Sequence, residues 1–106
     1  MSDLRESAER VGPDGAAAKF MGGMPEEVPD RYAEASPRER LPLGVRQILV
    51  HGTKDPEVPY AMSERYVEAA GDEAELVPLE GAGHFEPIDP EASEWPRTVA
   101  AVRALL

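Results

Sequence analysis

The sequence predicts an α/β chain: a parallel strand–helix–strand unit with a C-terminal helix, preceded by a mostly helical or irregular N-terminal segment. Three observations carry this. A short apolar run, Ile48-Leu49-Val50, breaks off into His51-Gly52-Thr53-Lys54-Asp55-Pro56-Glu57-Val58-Pro59. A helical pattern follows, leading to a second apolar run around Leu76-Val77 and then to Gly81-Ala82-Gly83-His84-Phe85. Parallel strands joined by a crossover helix place the loops after their carboxyl ends at one edge of the sheet. Asp55 and His84 are therefore expected to be neighbours in space, although a whole helix separates them in sequence.

Taken in order, Ser2 to Val11 is highly charged, with Leu4, Ala8 and Val11 at helical spacing. Gly12-Pro13-Asp14-Gly15 is a turn signal that ends this helix, Ala16 to Met21 forms another, and Gly22-Gly23 stops it. Pro25, Pro29, Pro37 and Pro42 allow only short helical turns from Met24 to Pro42, such as Asp30 to Ala35 with Asp30 near the cap. Phe20, Met21, Met24, Val28, Tyr32 and Leu41 are the anchors of this stretch. Residues 1–43 are thus expected to be a lid-like or connector segment, and residues 44–106 the α/β segment.

The first strand is expected over Gln47 to His51, its continuous apolar run implying burial on both faces. Pro59 marks the start of a helix whose stripe is Met62, Tyr66, Val67 and Ala70, with Gly71 as its left-handed end. Glu75 to Leu79 forms the second strand, and Pro78 marks an edge or the strand's end. Asp89-Pro90 has the form of a cap followed by proline at the first helical position, and Ser93 offers a second cap. The last helix carries Trp95, Val99, Val102 and Leu106, with Trp95 as a core anchor. Two parallel strands fall short of the roughly three or more that a stable sheet needs. Either a partner or a second copy is expected to cover Ile48-Leu49-Val50, or the chain is marginal alone.

The 106 residues make one domain at most. A formal net charge of −10 argues against nucleic acid and anionic membrane surfaces as partners, since both demand a basic face. There is no cysteine, so neither a disulfide nor a thiolate metal site can form. The first residues lack the apolar core of a signal peptide, and no apolar run approaches the ~20 residues that span a bilayer. A cytoplasmic location is the expectation.

An aspartate beside an imidazole fixes its tautomer and stabilises the imidazolium formed when the ring takes a proton. A histidine held this way serves as a general base near neutral pH. It then needs a nucleophile, usually a serine on a sharp turn between glycines. Ser2, Ser7, Ser36, Ser63 and Ser93 all lack flanking glycines. Ser63 falls inside the expected helix, Ser36 precedes a proline and Ser93 reads as a cap.

The order strand, His51-Gly52-x-x-Asp55, Val58-Pro59, helix, strand, Gly81-x-Gly83-His84-Phe85, helix resembles the C-terminal part of an α/β-hydrolase. It is most similar to the esterase, lipase and prolyl-oligopeptidase-like branches. The resemblance covers Leu43 to the C-terminus, and Gly22 to Leu41 also resembles the lead-in to the acid strand of bacterial members. It implies a partial α/β-hydrolase fold with Asp55 as the acid and His84 as the base of a catalytic triad. The oxyanion-hole loop and the Gly-x-Ser-x-Gly elbow have no counterpart, so the isolated chain is expected to be inactive. The implied function is a serine-hydrolase fragment or subunit supplying the Asp–His pair for ester, amide or peptide hydrolysis. Its expected partner is a complementing N-terminal hydrolase half or a second copy of the chain.

The rival from another class is a non-catalytic, self-associating interaction module or remnant of a hydrolase, driven by an unpaired strand edge. His51 reads as a packed or hydrogen-bonded structural residue at a strand end. A metal site on His51, Asp55 and His84 lacks a fourth ligand and helical His spacing. Gly81-Ala82-Gly83 fails as a dinucleotide loop because Glu86 stands at the third glycine position. No cofactor and no metal is called for.

Overall fold

The computed structural model describes residues 1–106 and divides into two compact units, Met1–Pro42 and Leu43–Leu106. In the first unit, α1 (Leu4–Val11) starts at Asp3, whose carboxylate accepts the Glu6 amide at 3.0 Å. This satisfies one of the amide donors left open at a helix start. Gly12 ends the helix at φ 96°, a conformation that costs glycine little. α2 (Ala16–Met21) and α3 (Pro29–Ala35) follow, then a 3₁₀ turn over Pro37–Arg40. Ala8, Ala17, Met21 and Tyr32 form the core, with Leu4, Met24 and Val28 packed against it. Tyr32 is fully buried, and its hydroxyl donates to the Gly23 carbonyl at 2.7 Å. Ser36, also fully buried, accepts the Leu4 amide at 3.0 Å and so ties the end of this unit to its beginning.

Two details differ from the sequence reading here. Phe20 is 79% exposed and anchors nothing, because Ala17, Ala18 and Met21 occupy the buried face of this six-residue helix. α3 starts one residue earlier than Asp30, at Pro29, and Asp30 lies in the first turn near the cap, where its charge meets the positive end of the dipole.

The second unit is α/β. β1 (Gln47–Gly52) pairs in parallel with β2 (Ala74–Leu79) in the register Gln47↔Ala74 through Gly52↔Leu79. α4 (Tyr60–Ala70) crosses between them and buries Met62, Ser63 and Tyr66. These positions recur at helical spacing, so one face of α4 meets the sheet. Tyr66 donates to the Gln47 side chain, and Gln47 donates to Glu73 at 3.0 Å, which holds the start of β1. Leu79 is fully buried, worth about 1.5–3 kcal/mol of transfer free energy.

α5 spans Trp95–Leu105, with Pro96 in its first turn. It starts later than Asp89 or Ser93, the expected caps. The Asp89 carboxylate instead accepts the Glu91 amide at 2.9 Å and closes a turn around Pro90. The expected stripe is also wrong in part. Val102 is 55% exposed and Leu106 fully so, while Ala101 is the buried residue of α5. Trp95 and Val99 are half-buried. A sheet two strands wide covers only part of a helix laid on it.

The same narrowness leaves Ile48, Leu49 and Val50 only half-buried. The Thr53 amide donates to the Leu79 carbonyl at 3.1 Å, which sets the phase of the ladder. Leu49, His51 and Thr53 turn their backbone groups to β2, so those of Ile48, Val50 and Gly52 lie along the outer edge of β1. Pro78 falls on the outer edge of β2, where it removes a donor. The two edges are therefore unequal. No helix is long and apolar enough to cross a membrane.

Candidate active site

The site lies where β1 and β2 end. After Gly52 the chain turns sharply, and Asp55 Oδ1 accepts the amides of Glu57 at 2.8 Å and Val58 at 2.9 Å. An aspartate bonding amides two and three residues ahead defines its own loop. The loop after β2 is stitched to this one: the Lys54 amide donates to the Ala82 carbonyl at 2.9 Å, and the Gly81 amide to Thr53 Oγ1 at 2.8 Å. A Cβ at Gly52 would overlap the carbonyl oxygens of Ala82 and Gly83, so only glycine lets the two loops approach this closely. Beyond the turn, the Gly83 amide donates to the Glu86 carboxylate, closing the segment that presents His84.

Asp55 and His84 are in direct contact. His84 Nδ1 lies 2.8 Å from Asp55 Oδ2, the distance of a charge-assisted hydrogen bond. The Asp55 side chain is 5% exposed and that of His84 37% exposed. The acid is thus sequestered while the imidazole reaches solvent. Nδ1 donates to the carboxylate, and Nε2 carries no hydrogen bond. Phe85 stands edge-on to the ring, with centroids 5.0 Å apart.

Burial alone would push the Asp55 carboxyl up. Hydrogen bonds from the Val58 amide, the His84 ring and the Glu57 amide, together with the charge of His84, outweigh it and hold the group below its ordinary value. Asp55 is therefore an anion at neutral pH.

His51 is 8% exposed and uses both ring nitrogens. Nδ1 is 2.6 Å from Ser63 Oγ, and Nε2 is 3.0 Å from the Val58 carbonyl and 3.3 Å from Asp55 Oδ2. His51 is hydrogen-bonded as its place at a strand end implies, and its contact with Ser63 is an addition to that expectation. The available signal was Ser63's place between Met62 and Tyr66, on the inward stripe of α4. Ser36 is consumed inside the first unit, Ser63 is buried within a helix, and no serine hydroxyl bonds to His84. No grouping of three or more His, Asp or Glu is arranged to hold a metal ion.

A strand–acid loop–helix–strand–histidine loop arrangement of this kind places the chain among the α/β-hydrolases. Residues 24–93, well over half of the sequence, match the α/β-hydrolase family model described as TAP-like protein, and the chain belongs to that family. No curated protein matches it.

Proposed function

We propose that this chain supplies the acid and the base of a serine hydrolase acting on ester, amide or peptide bonds. The carrying observation is the 2.8 Å contact between His84 Nδ1 and a buried, doubly clamped Asp55, on a ring that is itself partly exposed. In this role Nε2 takes the proton of a serine hydroxyl as it attacks the acyl carbon. Asp55 stabilises the imidazolium, and Nε2 then returns the proton to the leaving group. The serine comes from outside Met1–Leu106, on a complementing segment or polypeptide, and residues 1–43 act as a lid or connector. The outer edge of β1 at Ile48 and Val50, which no backbone of this chain pairs, suits a strand of that segment.

The test is hydrolysis of an activated acyl ester by this chain combined with a segment bearing a Gly-x-Ser-x-Gly elbow. The combination is expected to turn over and the chain alone to be inert. His84→Ala should lower kcat by about a thousandfold or more, as loss of a triad member does. Unchanged turnover in that variant would sink the reading.

The open β1 edge also favours a second reading, in which the chain pairs with its own copy and performs no chemistry. That reading expects an oligomer insensitive to Asp55→Ala and His84→Ala, and no hydrolysis above these variants.

A further inference from the structure

We propose that His51 is a positioning residue for the Asp55–His84 pair, gripping the acid loop through Nε2–H while Ser63 fixes the ring from the other side. The catalytic consequence rests on the reading of that pair as a working acid and base; the geometric claim does not.

The tautomer follows from the partners. Nε2 faces the Val58 carbonyl at 3.0 Å and the Asp55 carboxylate at 3.3 Å, neither of which can donate. Nε2 therefore carries the proton and donates it to the Val58 carbonyl, with the Asp55 carboxylate close beside it. In the neutral ring Nδ1 is then bare, and the Ser63 hydroxyl donates to it across 2.6 Å. The ring also stands edge-on to Tyr60, with centroids 5.4 Å apart and planes at 72°. One buried imidazole thus joins α4, the end of β1 and the turn that holds the acid.

The position of this grip matters. Val58 gives its amide to Asp55 Oδ1 and its carbonyl to His51, so the ring holds the residue that clamps the carboxylate. His84 contacts the other carboxylate oxygen, which His51 also approaches. The bonds run unbroken from Ser63 through His51 to Val58 and Asp55, and on to His84. A triad acid has to be held to about half an ångström to aim its histidine, and a second layer of hydrogen bonds achieves this. Ser63 has the partners of a nucleophile but not the setting. It is 7% exposed within α4, where no substrate reaches it.

The experiment is a ring-nitrogen ¹H–¹⁵N correlation study of the protein and of H51F, H51Q and S63A. The unsubstituted protein is expected to show His51 protonated at Nε2 and bare at Nδ1, with a slowly exchanging Nδ1 proton on His84. H51F should lose that His84 signal, and H51Q, which keeps an N–H near the Nε2 position, should retain it. S63A should keep the fold and the Nε2 proton of His51 while changing the Nδ1 shift as its donor is lost, so the question stays decidable even if H51F does not fold. A His51 protonated at Nδ1, or a His84 proton that persists in H51F, overturns the proposal.

In the assembled hydrolase, H51F should lower kcat about 10–100-fold with KM unchanged, by analogy with outer hydrogen-bond partners elsewhere. Loss of turnover in H84A with none in H51F refutes the positioning role alone. Full turnover in both refutes the hydrolase reading, and the spectra still decide the role of His51.

Discussion

Asp55 receives amide hydrogens on one oxygen and imidazole on the other, and its carboxyl sits below its ordinary value of 3.8 despite burial that works against ionisation. A depressed folded-state value contributes stability that is fully present above the unfolded value and lost as pH falls through the folded one. Asp55→Asn should therefore destabilise the protein most at neutral pH, and the difference should shrink in acid below about pH 4. Urea unfolding of both proteins across that range checks it; a pH-independent difference would remove ionisation from the account. Gly52 is the second residue on which the pair depends. Gly52→Ala would force the two loops apart, at a cost of about 1–3 kcal/mol, and should also weaken the Asp55–His84 contact. The juxtaposition of Asp55 and His84 was legible because parallel topology brings both loops to one sheet edge. The His51–Ser63 contact was not, since it depends on how far α4 is rotated about its own axis, and a serine inside an apolar stripe does not specify that.

At the level of elements, residue chemistry located helices and strands wherever a stop signal was local. Gly12, Gly22 and Gly71 end helices at positive φ, and Pro59 immediately precedes α4. What the pattern could not resolve was competition among several start signals. Asp89, Pro90, Ser93 and Pro96 all favour a helix start, and the Asp89 turn to Glu91 captured the first of them. Nor could periodicity reveal how much of α5 is covered, because that depends on the width of the sheet beneath it. The strands make a sharper, testable statement. The amides of Leu49, His51 and Thr53 face β2, and those of Ile48, Val50 and Gly52 face away. Amide hydrogen exchange should alternate along β1, slow at the first set and fast at the second. Uniform protection along the strand would mean that its outer edge is already paired.

The second unit, taken as a whole, has a two-stranded sheet, half-buried Ile48, Leu49 and Val50, and exposed Phe85, Ile88 and Val102. Sheets of this width are marginal unless another strand or a covering layer completes them. The asymmetry of the two edges determines where completion is possible. Pro78 removes a donor from the outer edge of β2, whereas Ile48 and Val50 keep both backbone groups on the edge of β1, ahead of Gly52, whose carbonyl accepts the Asp55 amide. An added strand should therefore pair with β1, whether it belongs to a nucleophile-bearing segment or to a second copy. Anything that binds only the folded state raises apparent stability by mass action, by about 2.7 kcal/mol at a hundred times Kd. If the chain pairs with itself, its Tm should rise with protein concentration, and the fast-exchanging β1 amides should slow in step. If its natural complement is a separate hydrolase segment, Tm should be insensitive to concentration and rise only when that segment is added. Complementation that leaves exchange at Ile48, Val50 and Gly52 unchanged would rule out β1 as the docking edge under either reading.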